Sequence, residues 1–525
     1  MSAHGGAIQG AFGSIGEHDE GPRRSWGGRA LTLLAIIGPG LIVMVGDNDA
    51  GGVATYAQAG QNYGLTLLWT LPLLIPVLVV NQEMVVRLGA VTGVGHARLI
   101  FERFGRFWGA FSVGDLFILN FLTIVTEFIG VSLALGYFGV SPSISVPLAA
   151  IGLVAITASG SFRRWERFMF VFVIVNFLIL PLVILSHPHA APIVHGFLVP
   201  GVRHGFNSTS ILLVIAIVGT TVAPWQLFFQ QSNIIDKGIT TRWVNYERTD
   251  TVIGSFVVVV GASLLMVTAA FALRHTPVDG HFTNAGAVAS DLARFVGHGT
   301  GAMFAIVLLN ASIIGAAAVT LSTSYTFGDV FGVQHSLHRR VGEARLFYAS
   351  YSAMVVVAAT IVLIPGAPLG LITTGVQALA GVLLPSATVF LILLCNDAAV
   401  LGPWVNRPWV NAVATVVVSV LLVLSLILMT TTVFPSIDVT ALLLALGAAL
   451  VVSLGGGGIA YARALRRRPP PPALPRGRRD TWRMPPLALL ERPEWSPGRK
   501  RAMLVLRVYL VASVVLLLVK AVQLG

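Results

Sequence analysis

From Leu31 almost to the C-terminus the chain repeats one pattern: a long apolar run, a short polar segment carrying arginine, another apolar run. A membrane-spanning helix needs about 20 mostly apolar residues. Runs of that length predict helices near 31–58, 65–90, 108–138, 143–160, 165–187, 208–232, 250–274, 298–328, 345–364, 368–395, 409–434 and 437–463. A last apolar run, 502–523, follows a Pro- and Arg-rich connector, RRRPPPPALPRGRRD. In lipid the backbone must satisfy its own hydrogen bonds, so helices are the default. The dyad alternation of a membrane β-barrel is absent. The expected fold class is an all-α polytopic membrane protein.

Two runs are interrupted. The first carries GDNDAGG, Gly46 to Gly52, with two carboxylates at mid-run. The sixth carries VGTTVAPWQ, Val218 to Gln226, where Pro224 removes a backbone donor. Gly51 and Gly52 admit backbone angles that other residues avoid. Paired interruptions five helices apart point to an inverted-repeat transporter with its site between the breaks. A carboxylate at the bilayer centre is costly unless paired, hydrated or used, so Asp49 reads as functional. Asp is also a good N-cap for the half-helix that follows it. Asp47 is open between a second ligand, a vestibule charge and a group bonded to backbone.

Charge sets the orientation. Alternate connections carry Arg87, Arg98, Arg103 and Arg106, then Arg163, Arg164 and Arg167, then Lys237, Arg242 and Arg248. The opposite connections hold only Arg203, Arg274 and Arg294. The positive-inside rule then places the N-terminus in the cytoplasm of a multi-pass protein of the cell membrane. The net charge of +12 is dispersed among these short segments, so it marks topology and not a nucleic-acid surface. The single cysteine, Cys395, excludes an intrachain disulfide and a cysteine metal cluster. The expected organisation is a mobile cytoplasmic N-terminal tail (1–30), a first repeat of helices 1–5 (31–190) and a second of helices 6–10 (205–396). Helices 11–12 follow (405–463), then a basic Pro-rich linker (464–500) and a possible extra C-terminal helix (501–525).

The residues resemble a known family. GPGLIVMVGDNDAGGVATYAQAGQNYGLTLLW is similar to the first helix and following loop of NRAMP-type divalent metal transporters. RLGAVTG, SFRRWERF, GTTVAPWQLFF and ERTDTVIG extend the resemblance in order, from about Gly38 to Cys395. It implies two five-helix inverted repeats of LeuT type, with a divalent cation between the broken helices 1 and 6. The family's Asp-Pro-Gly-Asn reads Asp49-Ala50-Gly51-Gly52 here, so Asp49 inherits the metal-binding carboxylate and Gly52 offers no side chain. Its Met-Pro-His reads Ala223-Pro224-Trp225, so the sulfur ligand is gone. The backbone carbonyl of Thr220 and the side chain of Gln377, in TTGVQALAGVLLP, stand at the remaining ligand positions. Loss of thioether sulfur favours hard cations. Two shortened side chains leave room for the waters that Mg2+ sheds reluctantly. The Ala-Pro-Trp motif also resembles the NRAMP-related magnesium transporters.

The proton pathway of the family is depleted as well. Its helix-3 Asp-x-x-Glu reads Ile124 and Glu127, and its two helix-6 histidine positions are Trp225 and Gln230. Histidine is the readiest proton carrier near neutral pH. Glu127 is left either to relay protons or to accept a buried hydrogen bond. His187, His189 and His195 in SHPHAAPIVH read as a solvated loop, Glu83 as the i,i+4 partner of Arg87, and Asn310 with Ser312 as contacts between helices.

The expected function is import of divalent cations, preferentially Mg2+, with weak or no proton coupling. A proton-coupled Mn2+/Fe2+ transporter is the alternative, and a transporter of organic substrates on the same fold comes from another class. Asp49 would repel an anionic substrate. HExxH, a nucleophile elbow and a Walker loop are all missing, so no enzyme is expected. The ion is substrate, not cofactor. The lipid bilayer is the other partner, nucleic acid is not, and the oligomeric state is open.

Overall fold

A computed structural model describes residues 7–467, apart from Glu17, His18, Glu20, Pro22, Ala367, Pro368 and Pro435. It also describes 482–490 and scattered positions between 503 and 515. The linker expected at 464–500 and the helix expected at 501–525 therefore lie mostly outside the described residues. Where positions are described they touch the bundle: the Trp482 ring lies against Gly402, and the Tyr509 hydroxyl donates to the Val382 carbonyl at 3.0 Å.

The chain opens with a hairpin, β1 (Ile8–Gly10) and β2 (Gly13–Ile15), paired antiparallel. This corrects the reading of 1–30 as a mobile tail. Ile8, Ala11 and Ile15 are buried, and the Phe12 ring meets Phe170 edge-on at 4.5 Å. The first run then divides three ways, not two: α1 (Trp26–Ile36), α2 (Pro39–Gly46) and α3 (Ala50–Tyr63). The bend of 52° between α1 and α2 falls at Gly38-Pro39. Gly38 sits at φ +151, a conformation open to glycine, and Pro39 starts the next helix where its missing N–H is harmless.

The first half continues with α4 (Thr70–Thr92), α5 (His96–Phe104), α6 (Arg106–Tyr137), α7 (Pro142–Thr157), α8 (Phe162–Val175), α9 (Ile179–Leu185) and α10 (Ala190–Leu198). The second comprises α11 (Ser208–Thr221), α12 (Pro224–Asp236), α13 (Val244–Leu273), α14 (Ala285–Phe295), α15 (His298–Phe331), α16 (Arg345–Val362) and α17 (Leu369–Cys395). α18 (Ala398–Leu401), α19 (Pro408–Val433) and α20 (Val439–Arg467) complete it. Among the described residues ten helices are long and apolar enough to cross a membrane, or eleven with α1 and α2 taken together. α7 is shorter, at 16 residues. The short helices α5, α10 and α14 lie in segments read as loops. The architecture is two five-helix repeats with broken helices 1 and 6, followed by additional C-terminal helices.

Large apolar side chains such as Ile144, Leu148, Ile151, Ile174 and Ile184 face outward, as a lipid-facing surface requires. The interior packs through small residues. A Cβ on Gly219 would overlap the Gln377 carbonyl and the Gly381 amide, so α11 and α17 meet backbone to backbone. That contact fixes where α17 presents Gln377.

Candidate metal centre

The two breaks meet in the buried interior. Helix α2 gives out where the Asp47 and Asn48 N–H groups turn to carbonyls three residues back, Met44 at 3.3 Å and Val45 at 3.2 Å. The Ala50 N–H, which would continue the helix to the Gly46 carbonyl, donates instead to Glu127 Oε2 at 3.1 Å. Asp49 then caps α3 from an extended conformation, its Oδ1 accepting from the Gly52 N–H at 2.6 Å. Helix α11 stops because Pro224 has no N–H for the Thr220 carbonyl. After the Val222 C-cap, Ala223 runs extended into α12. The Tyr56 hydroxyl joins Thr221 Oγ1 at 2.7 Å, and Gln226 Nε2 donates to the Thr221 carbonyl at 3.3 Å. Gln82 Nε2 in turn donates to Gln226 Oε1 at 2.9 Å, which braces the second break against α4.

Oxygen atoms gather around Gly52. From the position a Cβ on Gly52 would take, the Asp47 carbonyl lies at 2.8 Å, Thr220 Oγ1 at 3.0 Å and Asp49 Oδ1 at 3.4 Å. A side chain there would push backbone aside, so glycine is what lets these oxygens converge. A Cβ on Gly51 would overlap the Gln377 side chain, which therefore lies over the first turn of α3. Gly315 of α15 underlies both carboxylates: its Cβ would stand 2.6 Å from Glu127 Oε2 and 2.9 Å from the Asp49 Cβ. Asp49, Thr220, Gln377, Gly51, Gly52 and Glu127 are thus brought together.

Trp225 packs against the first break. Its ring lies 3.3 Å from a Cβ on Gly46 and meets Phe229 edge-on at 5.8 Å. It is 1% exposed. Ala223 is buried at the N-cap of α12 and brings no heteroatom to the break. Pro224 lines a small cavity with Ser112, Asp115 and Phe228. Asp47 is fully buried, and both its carboxylate oxygens are without a hydrogen bond among the described residues. That removes the backbone-bonded option for its side chain. Gln377 Nε2 and Thr220 Oγ1 are likewise unpaired.

The weaker signals resolve differently. Glu83 pairs with Arg87 at 2.9 Å as expected, and also with Arg248 at 2.5 Å. The Ser312 hydroxyl lies against Gly130 of α6, as a contact between helices, but donates its hydrogen bond to Leu308 in its own helix at 2.7 Å, and neither polar side-chain atom of Asn310 has a partner among the described residues. Among the described residues no three His, Cys, Asp or Glu side chains form a metal-binding group, so His187, His189 and His195 do not gather.

Sequence reasoning also missed a cluster at the α1–α2 bend. Asp250 accepts from the Gly38, Gly40 and Leu41 N–H groups at 3.0, 2.7 and 3.1 Å. Lys237 Nζ donates to the Ile36 and Ile37 carbonyls at 2.8 and 3.0 Å and to Glu166 Oε1 at 2.6 Å. The signal was present: Glu166 and Asp250 are charges within SFRRWERF and ERTDTVIG, close to apolar runs.

Comparison with known proteins bears on the family and the fold. The family model described as "Natural resistance-associated macrophage protein-like" matches residues 40–431. The chain is 26% identical over 427 residues to a protein of Latilactobacillus sakei named "Divalent metal cation transporter MntH", covering 77% of this chain and 90% of that one. It is 29% identical over 418 residues to a protein of the same name from Chromohalobacter salexigens, covering 76% and 91%. The fold is similar to a crystal structure of the Eremococcus coleocola manganese transporter, with TM-score 0.62, 20% identity, and 88% and 98% of the two chains covered. With the family model spanning both breaks and the helices that hold them, the chain belongs to the Nramp family.

Proposed function

We propose that this protein carries divalent metal cations across the cell membrane, with Mg2+ preferred and held partly hydrated between the breaks of helices 1 and 6. The observation that carries the reading is the convergence on Gly52 of the Asp47 carbonyl, the Thr220 hydroxyl and the Asp49 carboxylate. The groups that Asp47, Asp49, Thr220 and Gln377 bring to the breaks are oxygen or amide, and Ala223 supplies no sulfur. Such a set suits hard cations. Asp49 supplies the charge, the Thr220 carbonyl freed by Pro224 supplies a dipole, and Gln377 approaches from α17. Asp47, Gly51, Gly52, Ala223, Pro224 and Trp225 line the site. The repeats taken as 31–190 and 205–396 would rock against each other around it. The arginine-rich connections put the N-terminus in the cytoplasm.

Proton coupling is weak or lost in this reading. Trp225 and Gln230 replace imidazoles. Gln230 Nε2 donates to Thr251 Oγ1 at 2.9 Å, a fixed contact that carries no proton. Glu127 is engaged in capping α3.

Proton-coupled Mn2+ transport is the second reading. It is favoured by the names of the relatives, which are described as divalent metal cation or manganese transporters. Liposomes holding the purified protein, with internal dyes for the metal and for pH, separate the two. Mg2+ uptake without acidification is expected. Uptake of Mn2+ alone, with acidification, would overturn the proposal in favour of the second reading.

A further inference from the structure

Among the described residues seven carboxylate residues are buried, Asp47, Asp49, Glu127, Glu166, Glu247, Asp250 and Asp329, and Asp115 is half-buried beside the small cavity at Pro224. All but one accept a hydrogen bond. Asp49 takes the Gly52 N–H, Glu127 the Ala50 N–H, Asp115 the Leu116 N–H, and Asp250 the amides of Gly38, Gly40 and Leu41. Glu166 pairs with Lys237, Asp329 with His335, and Glu247 accepts from Gln230. Asp47 has no partner on either oxygen.

No structural task accounts for it. Asp47 is the C-cap of α2, and the cap is made by its backbone N–H, which donates to the Met44 and Val45 carbonyls. A carboxylate at a helix C-terminus also faces the negative end of the helix dipole. The position serves no N-cap, where an aspartate side chain would help. Leaving a buried acceptor unpaired costs free energy that a polar residue in a core normally avoids.

Its place in the chain supplies the missing donor. Asp47 lies two residues before Asp49, inside the same break, and its own carbonyl is one of the oxygens around Gly52. Thr220 Oγ1 and Gln377 Nε2, also buried and unpaired, stand at that break. Waters on a divalent ion are strong hydrogen-bond donors, because the ion's charge polarises them. Mg2+ keeps several of them when bound. We propose that Asp47 is a second carboxylate of the cation site, accepting hydrogen bonds from the waters of a hydrated ion and so favouring ions that retain those waters. The inference rests on the reading of the breaks as a cation site.

The test uses the full-length protein in nanodiscs, with Asp47→Asn, Asp47→Ala and Asp49→Asn beside the wild type. Calorimetry with MgCl2 and with MnCl2 measures affinity, and thermal unfolding without metal measures the fold. Removing a hydrogen bond between charged groups is expected to weaken Mg2+ binding by about tenfold or more in both Asp47 variants. Mn2+, which sheds water more readily, should lose less. The metal-free melting temperature should hold or rise, since a buried carboxyl group with no hydrogen-bond partner has been removed. Unchanged Mg2+ affinity in Asp47→Asn, equal losses for the two metals, or a lower metal-free melting temperature would each overturn the proposal. Asp49→Asn separates the two layers. Normal binding in that variant sinks the site itself, whereas lost binding there with normal binding in Asp47→Asn sinks only the role of Asp47.

Discussion

Two bends in the same stretch of chain are built in opposite ways. At the α1–α2 bend every polar group has an answer: Asp250 gathers the amides that begin α2, Lys237 gathers the carbonyls that end α1, and Glu166 neutralises Lys237. The hairpin closes the set, with the Ala11 N–H donating to Glu166 Oε2 at 2.5 Å and Arg167 Nε donating to the Ala11 carbonyl at 3.0 Å. At the α2–α3 break, a few residues on, the Asp47 carboxylate, Thr220 Oγ1 and Gln377 Nε2 are unpaired. Burial is similar at both. A buried polar set that is complete fixes structure, whereas one that is incomplete persists where something else completes it. The first bend reads as a joint and the second as a site.

The sharpest way to break that contrast is to remove Asp49. Asp49→Ala should abolish cation uptake in liposomes while the protein still elutes as a folded species. The lost N-cap costs about 1 kcal/mol, too little to unfold a bundle of this size. Uptake at the wild-type rate would mean that the break is not where the ion sits.

Damage at the joint should have the converse signature. Lys237→Met leaves the fully buried Glu166 without its cation, a change expected to cost roughly 3–5 kcal/mol. The melting temperature should fall clearly, and the Mg2+ affinity of the folded fraction should not. Adding Glu166→Gln should recover much of the loss. If Lys237→Met weakened binding while leaving stability alone, the division between joint and site would be wrong.

Selectivity gives a smaller effect. Ala223→Met places a thioether at the second break and should shift preference from Mg2+ toward Mn2+ by roughly tenfold, about 1.4 kcal/mol. Competition uptake with both ions measures it. Gly52→Asn is a poorer partner for this test than the sequence suggests. Its Cβ would stand 2.8 Å from the Asp47 carbonyl and displace backbone at the site.

The contrast also explains what could be read from the sequence. Both breaks were visible, because Asp49 and Pro224 violate an apolar helical pattern in ways that only an unwound segment accommodates. The inverted repeat followed from their spacing. The α1–α2 bend is masked in the sequence, although Gly38-Pro39 marks it, because apolar residues continue across it. Its clamp was hidden for a different reason. Glu166, Lys237 and Asp250 lie on three distant elements, and pairing at long range leaves no local pattern. The hairpin at 8–15 was missed because its stability comes from docking on α1 and α8, not from its own short strands. Asp47 was legible as an anomaly, but only packing could show that no backbone group answers it.

A third region should respond to pH, between the permanent joint and the incomplete site. After α15 the chain folds back so that His335 Nε2 lies 3.2 Å from Asp329 Oδ1, while Asp236 accepts from Ser336 Oγ and from the Leu337 N–H at 2.5 and 2.9 Å. Burial disfavours a charged His335, but the hydrogen bond and charge of Asp329 outweigh it and raise the imidazole above its ordinary value of 6.5. A raised folded value means that the stabilisation is fully present below the unfolded value and fades as pH climbs through the folded one. His335→Gln should therefore lower the melting temperature at pH 6 and make little difference at pH 9. The scale is about 1 kcal/mol or less, as for a partly exposed ion pair. Thermal unfolding of both proteins across that range checks it. An equal loss at the two pH values would mean that the ring holds this turn by packing, with Tyr325 and the Val333 carbonyl as its effective partners. The turn would then belong with the joint, complete at any pH.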